Sequence, residues 1–234
     1  MKKKCFISLF FIFCLSFSVC VFGETSDTER KNIFEVKYKA WRKDVDQFGP
    51  ILSDDSGISL DSFKKEIVNL GVKFLPILIE KMHQDICLAY AITLISGWRF
   101  IPGEVKKKEI YGFKALANFY SNWWKEGQIG IFKLFEERYD QWLKVRNSSN
   151  KEDVERTLRN LSYLGIAALP YFFEKIKNNE TAFIPIVSKL TKNSIKPTFS
   201  IEDCLGWWKK NKEDWTIPFP DFGIIPTFQL PAPK

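Results

Sequence analysis

The chain has 234 residues, 45% of them hydrophobic and 16% aromatic, with a formal charge of +7. This composition excludes a disordered or fibrous chain, and the length suffices for one large domain or two small ones with buried cores. The charge does not mark a nucleic-acid binder: setting aside Lys2, Lys3 and Lys4 of an N-terminal leader lowers it from +7 to +4, spread over interleaved acids and bases.

Residues 1–23 have the parts of a signal peptide. Lys2–Lys4 give a positive start and Cys5–Phe22 an apolar stretch. Val21 and Gly23 sit where a peptidase needs small or tolerated side chains. The expectation is export, to a periplasm or beyond, after cleavage near Gly23-Glu24. A membrane is involved only if the leader stays as an anchor, and it is at the short end of what spans a bilayer. Val19 and Phe13 precede Cys20 and Cys14 where a lipoprotein signal has a small residue, which disfavours lipidation. Cys87 and Cys204 remain after cleavage; they either bridge in an oxidising compartment or stay as thiols acting as small hydrophobes.

Helical periodicity runs through the rest. Phe34, Tyr38, Trp41, Val45 and Phe48 line one face of a first helix. Gly49–Ser59 is loop-like. Leu60, Phe63, Ile67 and Leu70 form a second stripe stopped by Gly71, and Pro76 opens the helix holding Ile77–Met82. Ile86–Ser96 is apolar on nearly all sides, which predicts a buried helix ending at Gly97. Trp98–Ile110, with Pro102, Gly103 and Lys106–Lys108, reads as a loop before helices over Phe113–Glu126 and Ile131–Arg146. Val154, Leu158, Leu161 and Leu164 give another stripe, stopped by Gly165. Leu169-Pro170 opens the next helix and Phe183–Leu190 follows. Ser200 and Asp203 form a capping-box-like start for Ile201–Asp214. Prolines at 218, 220, 226, 231 and 233 predict an extended tail, docked early by Ile217, Phe219, Phe222 and Ile224. No useful strand pattern appears, so the predicted class is all-α.

Three blocks recur in order. Leu70-Gly-Val-Lys-Phe-Leu-Pro-Ile-Leu-Ile-Glu-Lys81 aligns with Leu164-Gly-Ile-Ala-Ala-Leu-Pro-Tyr-Phe-Phe-Glu-Lys175 at an offset of 94, with six of twelve positions identical. Upstream, Tyr38-Lys-Ala-Trp41 matches Tyr139-Asp-Gln-Trp142; downstream, Trp123-Trp-Lys125 matches Trp207-Trp-Lys209. The pattern predicts two divergent copies of one helical unit, over residues 24–128 and 129–216, followed by the tail at 217–234. The Leu-Gly-x-x-x-Leu-Pro-x-x-x-Glu-Lys block resembles the helix-turn-helix signature of HEAT-like, armadillo-type repeats, mainly over residues 60–96 and 154–190. That resemblance implies a solenoid-like stack. The unit here is about twice as long as a HEAT repeat, and only two copies exist. The chain also resembles exported bacterial proteins of unassigned function, which implies no activity.

Candidate chemistry is thin. Glu80-Lys-Met-His83 has a di-iron spacing, but the second copy has Glu174-Lys-Ile-Lys177, and His83 is the single histidine. A zinc site or a Ser-His-Asp triad is therefore not expected. Asp54-Asp-Ser-Gly57 lacks the alternating ligands of a calcium loop and reads as a turn. No phosphate loop, nucleophile elbow or dinucleotide pattern is present, so no catalytic residue, metal or cofactor is expected. Trp123, Trp124, Trp207 and Trp208 are the candidate partner-binding residues. Adjacent helical side chains point about 100° apart, so either both members of a pair pack or one stays exposed to stack on a partner or a sugar ring. The expected function is a non-catalytic binding or scaffold protein. Its expected partner is another exported or envelope protein, with a glycan as the other candidate. The alternative is an envelope-associated hydrolase acting on glycan or cell-wall material through surface carboxylates.

Overall fold

A computed structural model of the full chain describes residues 26–48, 57–99 and 113–220, whose regular structure is entirely helical. The leader, most of Asp54–Gly57, Lys106–Lys108 and the tail beyond Pro220 lie outside the described residues.

Helix α1 (Asp27–Phe48) buries Phe34 and Trp41, with Tyr38 and Val45 half-buried beside them, so the four-and-three spacing is its core stripe. It packs on α2 (Gly57–Glu66), whose start takes Gly57–Ser59 out of the expected loop. The stripe of α2 ends differently from the expectation of one helix to Leu70. The α-helix stops at Glu66, and short 3-10 turns at Val68–Leu70 and Val72–Phe74 flank Gly71. Gly71 has φ 79° and ψ −166°, a region essentially reserved for glycine. Helix α3 (Leu75–Met82) follows with Pro76 in its first turn, then α4 (Leu88–Ser96), ended by left-handed Gly97.

The segment labelled α5 (Phe113–Val145) consists of two helical arms that meet at Gly127, where φ 56° and ψ −148° break the helical path. The two helices expected here are thus present, with the break between them at Gly127. Helix α6 (Lys151–Ser162) is capped by Asn150, whose side chain accepts the Glu152 N–H at 3.1 Å. A 3-10 turn at Gly165–Ala168 leads into α7 (Leu169–Lys177), again with proline in its first turn. Helix α8 (Ile184–Leu190) is short, and α9 (Ile201–Trp215) starts at the capping box of Ser200 and Asp203 read from the sequence. After α9, Ile217 is buried and Phe219 lies on the indoles of Trp123 and Trp124.

The buried side chains form one continuous cluster from Phe34 to Ile217. The N-terminal half (α1–α4) meets the C-terminal half where two chain crossings touch. A Cβ built on Gly165 would stand 2.1 Å from the Ser96 carbonyl oxygen and 2.8 Å from both Gly97 C and Trp98 N. Beside this contact the Arg99 N–H donates to the Tyr163 carbonyl at 2.8 Å. Only a residue without a side chain lets the backbones approach so closely.

Candidate functional site

Each half carries one polar cluster on its aromatic stripe, and the two clusters use like residues. In the first, the Lys81 ammonium lies 3.5 Å from Glu35 and 5.1 Å from the centre of the Tyr38 ring. The Tyr38 hydroxyl donates to Asp85 at 2.8 Å, and Arg42 lies 3.5 Å from the same carboxylate. In the second, Lys175 lies 3.1 Å from Glu136 and 3.9 Å from the Tyr139 ring centre. The Tyr139 hydroxyl donates to Glu180 at 3.3 Å, and Arg146 pairs with Glu180 at 2.7 Å. Arg42 over Trp41 and Arg146 over Trp142 stand at the same 5.6 Å from the ring centre. Burial first, and the adjoining carboxylate second, push both phenols up to about 12. These acids are held by cations and phenol donors, an arrangement that fixes helices α1 and α5 to the turns facing them.

Between the halves lies an open cleft of about 460 Å³. It is lined by Val68, Val72, Leu94 and Ile95 from the first half and Ile166, Ile186 and Leu190 from the second, together with Trp98 and Trp215. Val68 and Val72 stand 94 residues before Ser162 and Ile166, which also line it. Residues that the sequence match aligns at an offset of 94 thus line the same cleft. Among the described residues Arg99, Lys189, Lys192 and Asp214 supply its charges. Asp214 is paired with Lys73 at 2.7 Å. The Thr93 hydroxyl is already engaged, accepting from Tyr120 at 2.8 Å and donating to the Ala89 carbonyl at 3.0 Å. Volume and apolar lining fall in the range of small-molecule sites.

The four candidate tryptophans do not meet in one place. Trp123 is buried, its ring 4.9 Å from Phe219 and 6.1 Å from Trp98. Trp124 is half-buried, 5.3 Å from Phe219. Trp208 stacks on Phe173 at 4.5 Å and 11°, and Trp207 lies 5.9 Å from Trp215, both half-buried. His83 is exposed, 3.4 Å from the Ser121 hydroxyl. Cys87 and Cys204 are free thiols, and burial pushes both above the usual thiol value. Among the described residues, no group of three or more His, Cys, Asp and Glu is placed to hold a metal, and no helix is long and apolar enough to cross a membrane.

Sequence reasoning missed the cleft because it forms from residues far apart in the chain, each read as core or turn. The clusters had a signal: extending the Tyr-x-x-Trp match upstream pairs Phe34-Glu35 with Phe135-Glu136, and the block match pairs Lys81 with Lys175. Comparison with known protein families, characterised proteins and solved structures gives no match.

Proposed function

We propose that the protein is an exported, non-enzymatic binding protein made of two divergent HEAT-like units, with its ligand held in the cleft where the units meet. The observation that carries the reading is that cleft: apolar walls from both halves, opening to cations at the rim. The like clusters of Glu35, Tyr38 and Lys81 and of Glu136, Tyr139 and Lys175 support the two-unit description. They also weigh against acid–base work by these carboxylates, since each has a cation or phenol partner. Apolar surface gathered in a concave site favours ligand retention over a flat scaffold contact.

A thermal-shift screen tests this. Fractions of an envelope extract are added to the full chain and to Leu94→Trp, which fills the cleft. A ligand at a hundred times its Kd adds about 2.7 kcal/mol of stability, so an active fraction raises the melting temperature of the native chain and not of the variant. Hydrolysis of cell-wall glycan by the purified protein, lost on Glu→Gln substitution of surface acids, would install the hydrolase instead.

A further inference from the structure

Three features of the cleft, taken together, identify the chemistry it suits. The walls named above are apolar and come from both halves, so the interior favours a flexible hydrocarbon. The rim is cationic. Arg99 leaves the crossing after α4, while Lys189 and Lys192 lie on and just after α8, and none of the three has an ion pair among the described residues. Among the described residues the single acid lining the cleft, Asp214, is neutralised by Lys73. Finally, Lys192 stands in the left-handed region at φ 53°, its N–H bonded to the Lys189 carbonyl at 3.2 Å. Glycine or asparagine is the ordinary residue at such a helix end. A lysine there costs backbone strain that helix termination does not require, and it places a cation at the cleft.

We propose that the cleft binds a single-chain anionic amphiphile, with its hydrocarbon between the halves and its carboxylate at Arg99, Lys189 and Lys192. The proposal rests on the reading of the protein as a binding protein. At roughly 30 Å³ for a water- or methylene-sized group, the cleft of about 460 Å³ holds a chain of roughly ten to fifteen carbons. A sugar is less well served by the same walls: it needs many hydrogen-bond partners, and of the hydroxyls lining the cleft Thr93 is already bonded to Tyr120 and Ala89 and Ser162 to the Arg159 carbonyl, which leaves Tyr163.

Titration calorimetry of the full chain with decanoate, hexanoate and decan-1-ol tests the assignment. Decanoate is expected to bind one per chain. Hexanoate should bind weaker by on the order of a hundredfold, because four methylenes are no longer buried. Leu94→Trp should abolish binding. Lys192→Gly should weaken decanoate by about tenfold while leaving decan-1-ol unchanged. Glycine suits that backbone, so the Lys192→Gly melting temperature should not fall; Lys189→Gln, at an exposed site, gives a second charge-removing variant. Equal affinity for decan-1-ol and decanoate, with neither lysine variant mattering, overturns the anionic assignment and leaves a cleft that binds neutral apolar ligands. Decanoate binding that survives Leu94→Trp places the ligand elsewhere and overturns the proposal. Binding of none of the probes overturns it too, while the extract screen judges the broader reading independently.

Discussion

The two glycines of the repeated Leu-Gly-x-x-x-Leu-Pro block look interchangeable in sequence but should respond very differently to alanine. Gly71 has φ 79° and ψ −166°, and a Cβ added there would meet nothing within 4 Å, so Gly71→Ala meets only backbone strain, about 1–3 kcal/mol. Gly165→Ala meets strain at φ 63° and a clash besides, because the new carbon would stand 2.1 Å from the Ser96 oxygen. The obstacle is backbone on the opposing crossing and cannot rotate away. Relief requires the halves to separate by about an ångström, which breaks the 2.8 Å hydrogen bond from Arg99 to Tyr163, worth about 1 kcal/mol, and loosens the packing around it. The total for Gly165→Ala is about 4 kcal/mol or more, a value that marks a specific structural conflict. At about 2–4 °C per kcal/mol for a chain of this size, its melting temperature should fall by roughly 8–16 °C. Urea unfolding followed by far-ultraviolet circular dichroism measures both variants on one scale. Equal losses for Gly71→Ala and Gly165→Ala would refute the close crossing of the two halves.

Four further outcomes follow from the geometry. Trp208→Ala should cost about 2–3 kcal/mol in urea unfolding, because the ring stacks on Phe173 at 4.5 Å; a loss under half a kcal/mol would return Trp208 to the role of an exposed partner-binding residue. Tyr38, Tyr120, Tyr139 and Tyr171 are all pushed up to about 12, chiefly by burial, so folding favours their neutral forms. Their contribution is full below pH 10 and is lost as pH rises through 12, so absorbance titration at about 295 nm should show a late-ionising set that moves to about pH 10 on unfolding. Ser200→Ala removes the side chain that accepts the Asp203 N–H at 3.1 Å and should cost about 1 kcal/mol of stability. Lys175→Gln should destabilise by about 1 kcal/mol and Lys81→Gln by less, since their ammonium groups lie 3.9 Å and 5.1 Å from the tyrosine ring centres; the reverse order in a denaturation series would count against the ring contact.

What could be read from sequence follows from what is local. The stripe through Phe34, Tyr38 and Trp41, the stop at Gly97, the prolines opening α3 and α7 and the capping box at Ser200 each depend on residues a few positions apart, and each stands in the structure, whereas α6 ends at Ser162, before Gly165. The end of α2 departs because Gly71 adopts a conformation outside the usual left-handed stop and needs 3-10 turns on either side. The break expected between Glu126 and Ile131 narrows to the single bend at Gly127, which is packed against Phe219 of the tail, a contact no local pattern contains. The candidate site shows the same division. Glu35 and Lys81 could be paired by aligning the halves, whereas the cleft needs Leu94, Ile166 and Leu190 to converge from three separate elements.

Native mass spectrometry of the full chain, purified without denaturant from its own source, tests the binding reading most directly. The native chain should carry a small-molecule adduct that is absent from Leu94→Trp prepared in parallel and that leaves the native chain on unfolding. An adduct of the same mass and abundance on both proteins, or a bare chain in both, would contradict a ligand held in the cleft between the two halves.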